Sequence, residues 1–130
     1  MSHLVTIKLP ENDSGMLLKD KALLSRAATR LNLEQPVERS VTFYDGAKVT
    51  GLSMKLDGWR YPIVINTETG VVSMDNYNGR WGRFEHLEAL YQAYSVEAAK
   101  QAGLDSGLYS HIEEQLLPNG DVELTCYEAF

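Results

Sequence analysis

Three glycine-bearing turns follow one another closely through the middle of the chain, and they leave little freedom of architecture there. Tyr44-Asp45-Gly46-Ala47, Asp57-Gly58 and Thr67-Glu68-Thr69-Gly70 each separate two strand-like runs. Asp-Gly is a strong hairpin signal, because the glycine takes positive φ without a Cβ penalty. Parallel strands need crossovers of a dozen or more residues, so connections this short favour an antiparallel meander. The four runs are Val37 to Phe43, Lys48 to Leu56, Trp59 to Asn66 and Val71 to Met74. Leu52, Met54 and Leu56 alternate, as do Trp59, Tyr61, Ile63 and Ile65, which places each set on one strand face. Pro62, inside the third run, predicts an edge strand or a bulge.

Helical spacing flanks the meander on both sides. Met16 to Leu33 reads as a helix with Leu17, Leu24, Ala28 and Leu31 on one face. Asp13 or Ser14 is available as its N-cap, and Asn32 to Pro36 stops it. Arg83 to Gly103 reads as a second helix, with Phe84, Leu87, Tyr91, Tyr94 and Ala98 along one stripe and Gly103 as C-cap. Leu4 to Leu9 alternates as a strand ahead of the first helix. Tyr109 to Leu117 and Val122 to Tyr127 form a last hairpin around Pro118-Asn119-Gly120-Asp121. The order is β-α-β-β-β-β-α-β-β. The expected fold is α+β: a mostly antiparallel sheet of about six to seven strands, with two amphipathic helices on one face. The other sheet face is left to solvent or to a partner.

The chain has 130 residues, which fits a single domain over 1–130. Its net charge of −6, from twelve basic and eighteen acidic residues, opposes nucleic acid and anionic membrane as partners. No apolar run approaches the roughly 20 residues that span a bilayer. Met1-Ser2-His3-Leu4 lacks the basic and apolar regions of a signal peptide. Cys126 is the sole cysteine, so no internal disulfide forms, and a reducing, cytosol-like compartment is expected. Cys126 reads as a small buried hydrophobe.

No catalytic or metal-ligating pattern stands out. His3, His86 and His111 lack the paired spacing of a zinc site, and no GxSxG, Walker or GxGxxG motif occurs. Glu113 and Glu114 are neighbours on a strand and so point to opposite faces. The most informative segment is Asp75-Asn76-Tyr77-Asn78-Gly79-Arg80-Trp81-Gly82, between the meander and the second helix. Its architectural reading packs Tyr77 and Trp81 on the core, has Asp75 and Asn78 fix a turn, and stacks Arg80 on a ring or pairs it with Asp75. Its functional reading takes Asp75, Tyr77, Asn78, Arg80 and Trp81 as a binding loop, since guanidinium and indole groups are frequent anchors.

These residues also carry a resemblance. Met1-Ser2-His3 with Thr6-Ile7-Lys8, then Tyr61-Pro62-Ile63-Val64, Thr69-Gly70 and the Asp75–Gly82 segment, resemble the hypothetical chloroplast reading-frame family, the domain of unknown function numbered 1257. Leu87, Tyr91-Gln92, Tyr94 and Val96-Glu97 resemble its second helix. Glu114-Gln115-Leu116, Gly120 and Leu124-Thr125 resemble its terminal hairpin. Glu11 to Val49 departs from the pattern. The resemblance implies a small soluble protein, in a bacterial or phage variant, with no catalytic residues or cofactor to carry over. It implies an accessory role with a link to an AAA-type ATPase.

Two functions are therefore expected to compete. One is a non-enzymatic interaction module that uses the Asp75–Gly82 loop toward a protein partner or a second copy. The other is a small-molecule or nucleotide-binding domain. In it Arg80 would clamp an anion, Tyr77 or Trp81 would stack on a ring, and Asp75 would stand as a general base.

Overall fold

The computed structural model describes residues 4–9, 17–77 and 79–129. The elements are β1 (Leu4–Leu9), α1 (Lys21–Arg30), β2 (Val37–Thr42), β3 (Lys48–Met54), β4 (Ile63–Asn66), β5 (Val71–Ser73), α2 (Phe84–Asp105), β6 (Tyr109–Leu116) and β7 (Val122–Glu128). This is the α+β order expected from the sequence, and every strand pair is antiparallel.

The strands do not form one sheet. β2-β3-β4-β5 make a four-stranded meander, and β1-β7-β6 make a separate three-stranded sheet. The cause lies between β5 and β6. The 22 residues of α2 span about 33 Å at 1.5 Å per residue and carry the chain away from the meander. The terminal hairpin then pairs with β1 instead, Val5 opposite Cys126 and Ile7 opposite Leu124.

α2 is consequently not the one-sided helix its stripe predicts. Leu87, Leu90 and Tyr94 join Leu24 and Ala28 of α1 and Leu52, Met54, Ile63 and Ile65 of the meander in the main core. Val96, further along, packs with Val122 and Leu124 of the other sheet. Ala93, Tyr94, Ser95 and Val96 are all buried, and four successive helical residues point in every direction. Phe84, the first residue of the expected stripe, is instead 51% exposed. Among the described residues, no helix is long and apolar enough to cross a membrane.

α1 is shorter than expected. Asp13 and Ser14 lie outside the described residues, and the N-cap is Asp20. Its carboxylate accepts from the N–H groups of Ala22 and Leu23, and its own N–H donates to the Tyr94 hydroxyl at 3.1 Å. α2 therefore fixes where α1 begins. Leu17 is exposed and Leu18 buried, and both precede the helix, so Leu17 does not belong to its apolar face. The C-cap of α2 is Ser106 rather than Gly103.

β4 is also shorter than the alternation predicts. It starts at Ile63, so Pro62 precedes the strand, where its missing N–H costs no ladder bond. Ile63 and Ile65 face the helices, and Val64 faces the other way into a small cluster with Val41 and Phe43, flanked by Val49 and Tyr61. That outer cluster leads to the Asp75–Gly82 loop.

Candidate functional site

The loop between β5 and α2 is fixed mainly through its own backbone. The Asn76 carbonyl accepts the N–H groups of Gly79 (3.0 Å) and Trp81 (2.9 Å), and the Tyr77 carbonyl accepts that of Arg80 (3.1 Å). Tyr77 sits at φ 47°, a left-handed conformation that disfavours a residue with a Cβ. The Trp81 carbonyl accepts from Arg60 N–H at 2.7 Å, which ties the loop to the segment before β4. Asp75 fixes a distant turn rather than its own: its Oδ2 accepts the Tyr44 N–H at 3.1 Å.

Two indoles serve different purposes here. Trp59 is 1% exposed and belongs to the main core, where its Nε1 donates to the Arg83 carbonyl at 3.1 Å. Gly82 lies against it so closely that a Cβ would come within 2.6 Å of the ring's Cγ. Trp81, by contrast, is half-buried outside that core. Tyr77 stacks on it with centroids 4.8 Å apart and planes 23° apart, and Tyr44 and Tyr61 approach it at 5.1 and 5.9 Å. Phe43 meets Tyr61 edge-on at 6.2 Å, so this aromatic group is continuous with the outer cluster of the meander.

Two guanidinium groups complete the surface. Arg80 lies over Tyr77 at 5.2 Å, and Arg60 lies over Trp81 at 4.7 Å and Tyr61 at 5.7 Å. Both arginines are exposed, and among the described residues no carboxylate lies within ion-pair distance of either. Tyr44 is 70% exposed and Tyr77 53%. Arg80 also lines an open depression of about 480 Å³ with Gly79, Arg83, Phe84 and Glu85.

The structure thus brings Tyr77, Arg80 and Trp81 together and ties Asp75 to the same surface; Asn78 lies outside the described residues. Of the two ways to hold Arg80, it adopts stacking on a ring, not pairing with Asp75. Sequence reasoning missed Arg60, gave Tyr61 a strand face and placed Tyr44 in a hairpin turn. A signal was present: Asp57-Gly58-Trp59-Arg60-Tyr61 and Asn78-Gly79-Arg80-Trp81 combine the same residue types. Two such turns can meet at one end of a sheet.

Two polar clusters lie elsewhere. Glu114, on the helix-facing side of β6, takes two hydrogen bonds from Arg30 (3.0 and 2.6 Å) and lies 3.7 Å from Lys100. Arg30 and Lys100 in turn approach Glu97 at 3.8 and 3.4 Å, beside a cavity of about 320 Å³. Glu113 points to the other side, as strand alternation requires. It meets His111 Nε2 (3.2 Å) and accepts from the Tyr127 hydroxyl (3.1 Å), which holds the Tyr127 phenol above its ordinary pKa. Cys126 is buried and unpaired. His3 lies outside the described residues, and among those described no group of three or more His, Cys, Asp or Glu side chains could hold a metal ion.

Chemically, the aromatic surface can bury flat or apolar groups and can offer guanidinium N–H donors to an anion. Compared with known proteins, the chain matches no family model, no curated protein and no solved structure.

Proposed function

We propose that this chain is a non-enzymatic protein-interaction module, working in a reducing, cytosol-like compartment, that grips its partner with the surface of Tyr44, Arg60, Tyr77, Arg80 and Trp81. The observation that carries this reading is Tyr77. A left-handed φ costs on the order of 1 kcal/mol for a residue with a Cβ, and the ring it presents is half exposed. Neither feature serves the core. Contiguous rings left in water beside cations have the composition of interface anchors. The resemblance to the reading-frame family adds an AAA-type ATPase as a partner to try, and a second copy of the chain is the other.

The test is affinity capture with the wild-type chain and with an Arg80→Ala, Trp81→Ala double variant of matched thermal stability. The double variant should lose the proteins that the wild type retains. An unchanged set of captured proteins would end this reading.

The depression beside Arg80 favours a second reading, a nucleotide or other anionic small molecule clamped by Arg80. It opens at the start of α2, where no side-chain hydrogen bond caps the helix N–H groups. A thermal-shift screen of nucleotides should then give a rise that grows with ligand concentration. A flat response up to millimolar ligand rejects it.

A further inference from the structure

The six arginines of this chain divide sharply by the company they keep. Arg26 donates to Gln101 and Arg39 to Ser53. Arg30 holds Glu114, and Arg83 lies 3.4 Å from Glu85. Arg60 and Arg80 have aromatic rings for their side-chain partners, and both belong to the same surface. Arg26, Arg39, Lys48 and Lys55 also lie outside ion-pair distance of any described carboxylate, but Arg60 and Arg80 are set together on one aromatic surface of a chain of net charge −6, whose Asp75 carboxylate is held by the Tyr44 N–H. Stacking occupies the face of a guanidinium and leaves its in-plane N–H donors for a carboxylate.

We infer that this surface takes an acidic segment of a partner protein. Its carboxylates would dock on Arg60 and Arg80, and an apolar or aromatic side chain would pack against Tyr44 and Trp81. The inference rests on the interaction-module reading and adds the chemistry of the partner. Charge complementarity selects the acidic occupant. The number of cations selects peptide over nucleic acid. A polyanion gains affinity from a run of lysines and arginines, each neutralising a phosphate. Here Glu85 already neutralises Arg83, and the rest of the chain repels a long phosphate backbone. Two cations match one or two carboxylates. The neighbouring rings supply the apolar burial that charge pairing at an exposed rim lacks.

The test is a random-peptide display selection on the full chain, followed by anisotropy titration of the enriched sequences as synthetic peptides. Enriched peptides should carry Asp or Glu next to an aromatic or aliphatic residue. Arg60→Gln with Arg80→Gln should weaken them about tenfold or more, as should Tyr44→Ala with Trp81→Ala. Arg60→Glu with Arg80→Glu should reverse the preference toward Lys- and Arg-bearing peptides; thermal melts establish that each variant is folded. Peptides that need Trp81 but show no acidic excess, or acidic peptides that bind the Gln variant equally well, overturn the inference and leave the interaction reading standing. Finding no peptide that depends on Tyr44 and Trp81 overturns both. An oligo(dT) strand that binds more tightly than the peptides at physiological salt, through the same arginines, overturns the inference in favour of nucleic acid.

Discussion

The buried indole of Trp59 donates its Nε1 hydrogen to the Arg83 carbonyl, and Gly82, one residue earlier, closes against the same ring. This junction seats the start of α2 on the meander and leaves Trp81 on the outer side. The core indole and the surface indole are thus separated by function although both follow a glycine-bearing turn.

Gly82→Ala should therefore destabilise the fold. Its Cβ would overlap the Trp59 ring, which is fully packed and has no room to yield. Overpacking of this kind costs about 2 kcal/mol. The midpoint of urea denaturation should fall accordingly, and an unchanged midpoint would show that the loop can move away from the indole.

Tyr77→Gly separates architecture from display. Glycine relieves the left-handed strain, worth roughly 1 kcal/mol, while loss of the stack on Trp81 removes a similar amount. Stability should stay within about 1 kcal/mol of wild type, since these terms oppose each other. A loss of more than about 2 kcal/mol in denaturant titration would identify the ring as a structural group.

Asp75→Ala should loosen the β2–β3 turn and not the core. The carboxylate accepts the Tyr44 N–H, and removing it exposes that donor to water at a cost of about 1 kcal/mol. Amide hydrogen exchange at Tyr44 should speed up while exchange at Leu52 and Ile65 stays slow. Equal protection of Tyr44 in the variant would contradict this role.

The Arg30–Glu114 pair gives stability a pH dependence with a definite sign. Hydrogen bonding from Arg30 is the largest cause holding the Glu114 carboxyl below its ordinary value, and the same bond raises Arg30. A carboxyl depressed on folding contributes fully above its unfolded pKa, about 4.3, and loses that contribution as pH falls through the folded value. Wild type should lose stability on acidification below about pH 4.3, and Glu114→Gln should flatten part of that slope. At neutral pH the variant should cost about 1 kcal/mol, because both side chains remain partly exposed and screened. Parallel pH–stability curves for the two proteins would count against the pairing.

Leu90→Ala and Phe84→Ala test the placement of α2. Leu90 is fully buried, so truncation should cost about 3 kcal/mol. Phe84 heads the same helix but is exposed, and its truncation should stay within about 0.5 kcal/mol. Comparable losses at both sites in denaturant titration would restore the simple stripe.

Much of this architecture was readable residue by residue. The meander follows from Gly46, Gly58 and Gly70, all of which take positive φ. The opposite facing of Glu113 and Glu114 follows from strand alternation alone, and so does the burial of Leu124 and Cys126 on one side of β7. The candidate loop was legible as a segment rich in glycine, arginine and aromatic rings. What it would touch was not. Tyr44 and Arg60 reach it across turns that are distant in sequence, and nothing local to either residue encodes that meeting.

The element order, the turns and the strand faces were set by chemistry within a few residues of each position: φ freedom at glycine, a missing N–H at proline, alternation along a strand. Folding in three dimensions settled the division into two sheets, the all-round burial of α2, the capping of α1 by Asp20 with Tyr94, and the choice of Trp59 over Trp81 for the core. Those outcomes depend on which surfaces are left to be covered once the elements exist. That competition for burial joins groups as far apart as Asp20 and Tyr94, beyond the reach of any local pattern.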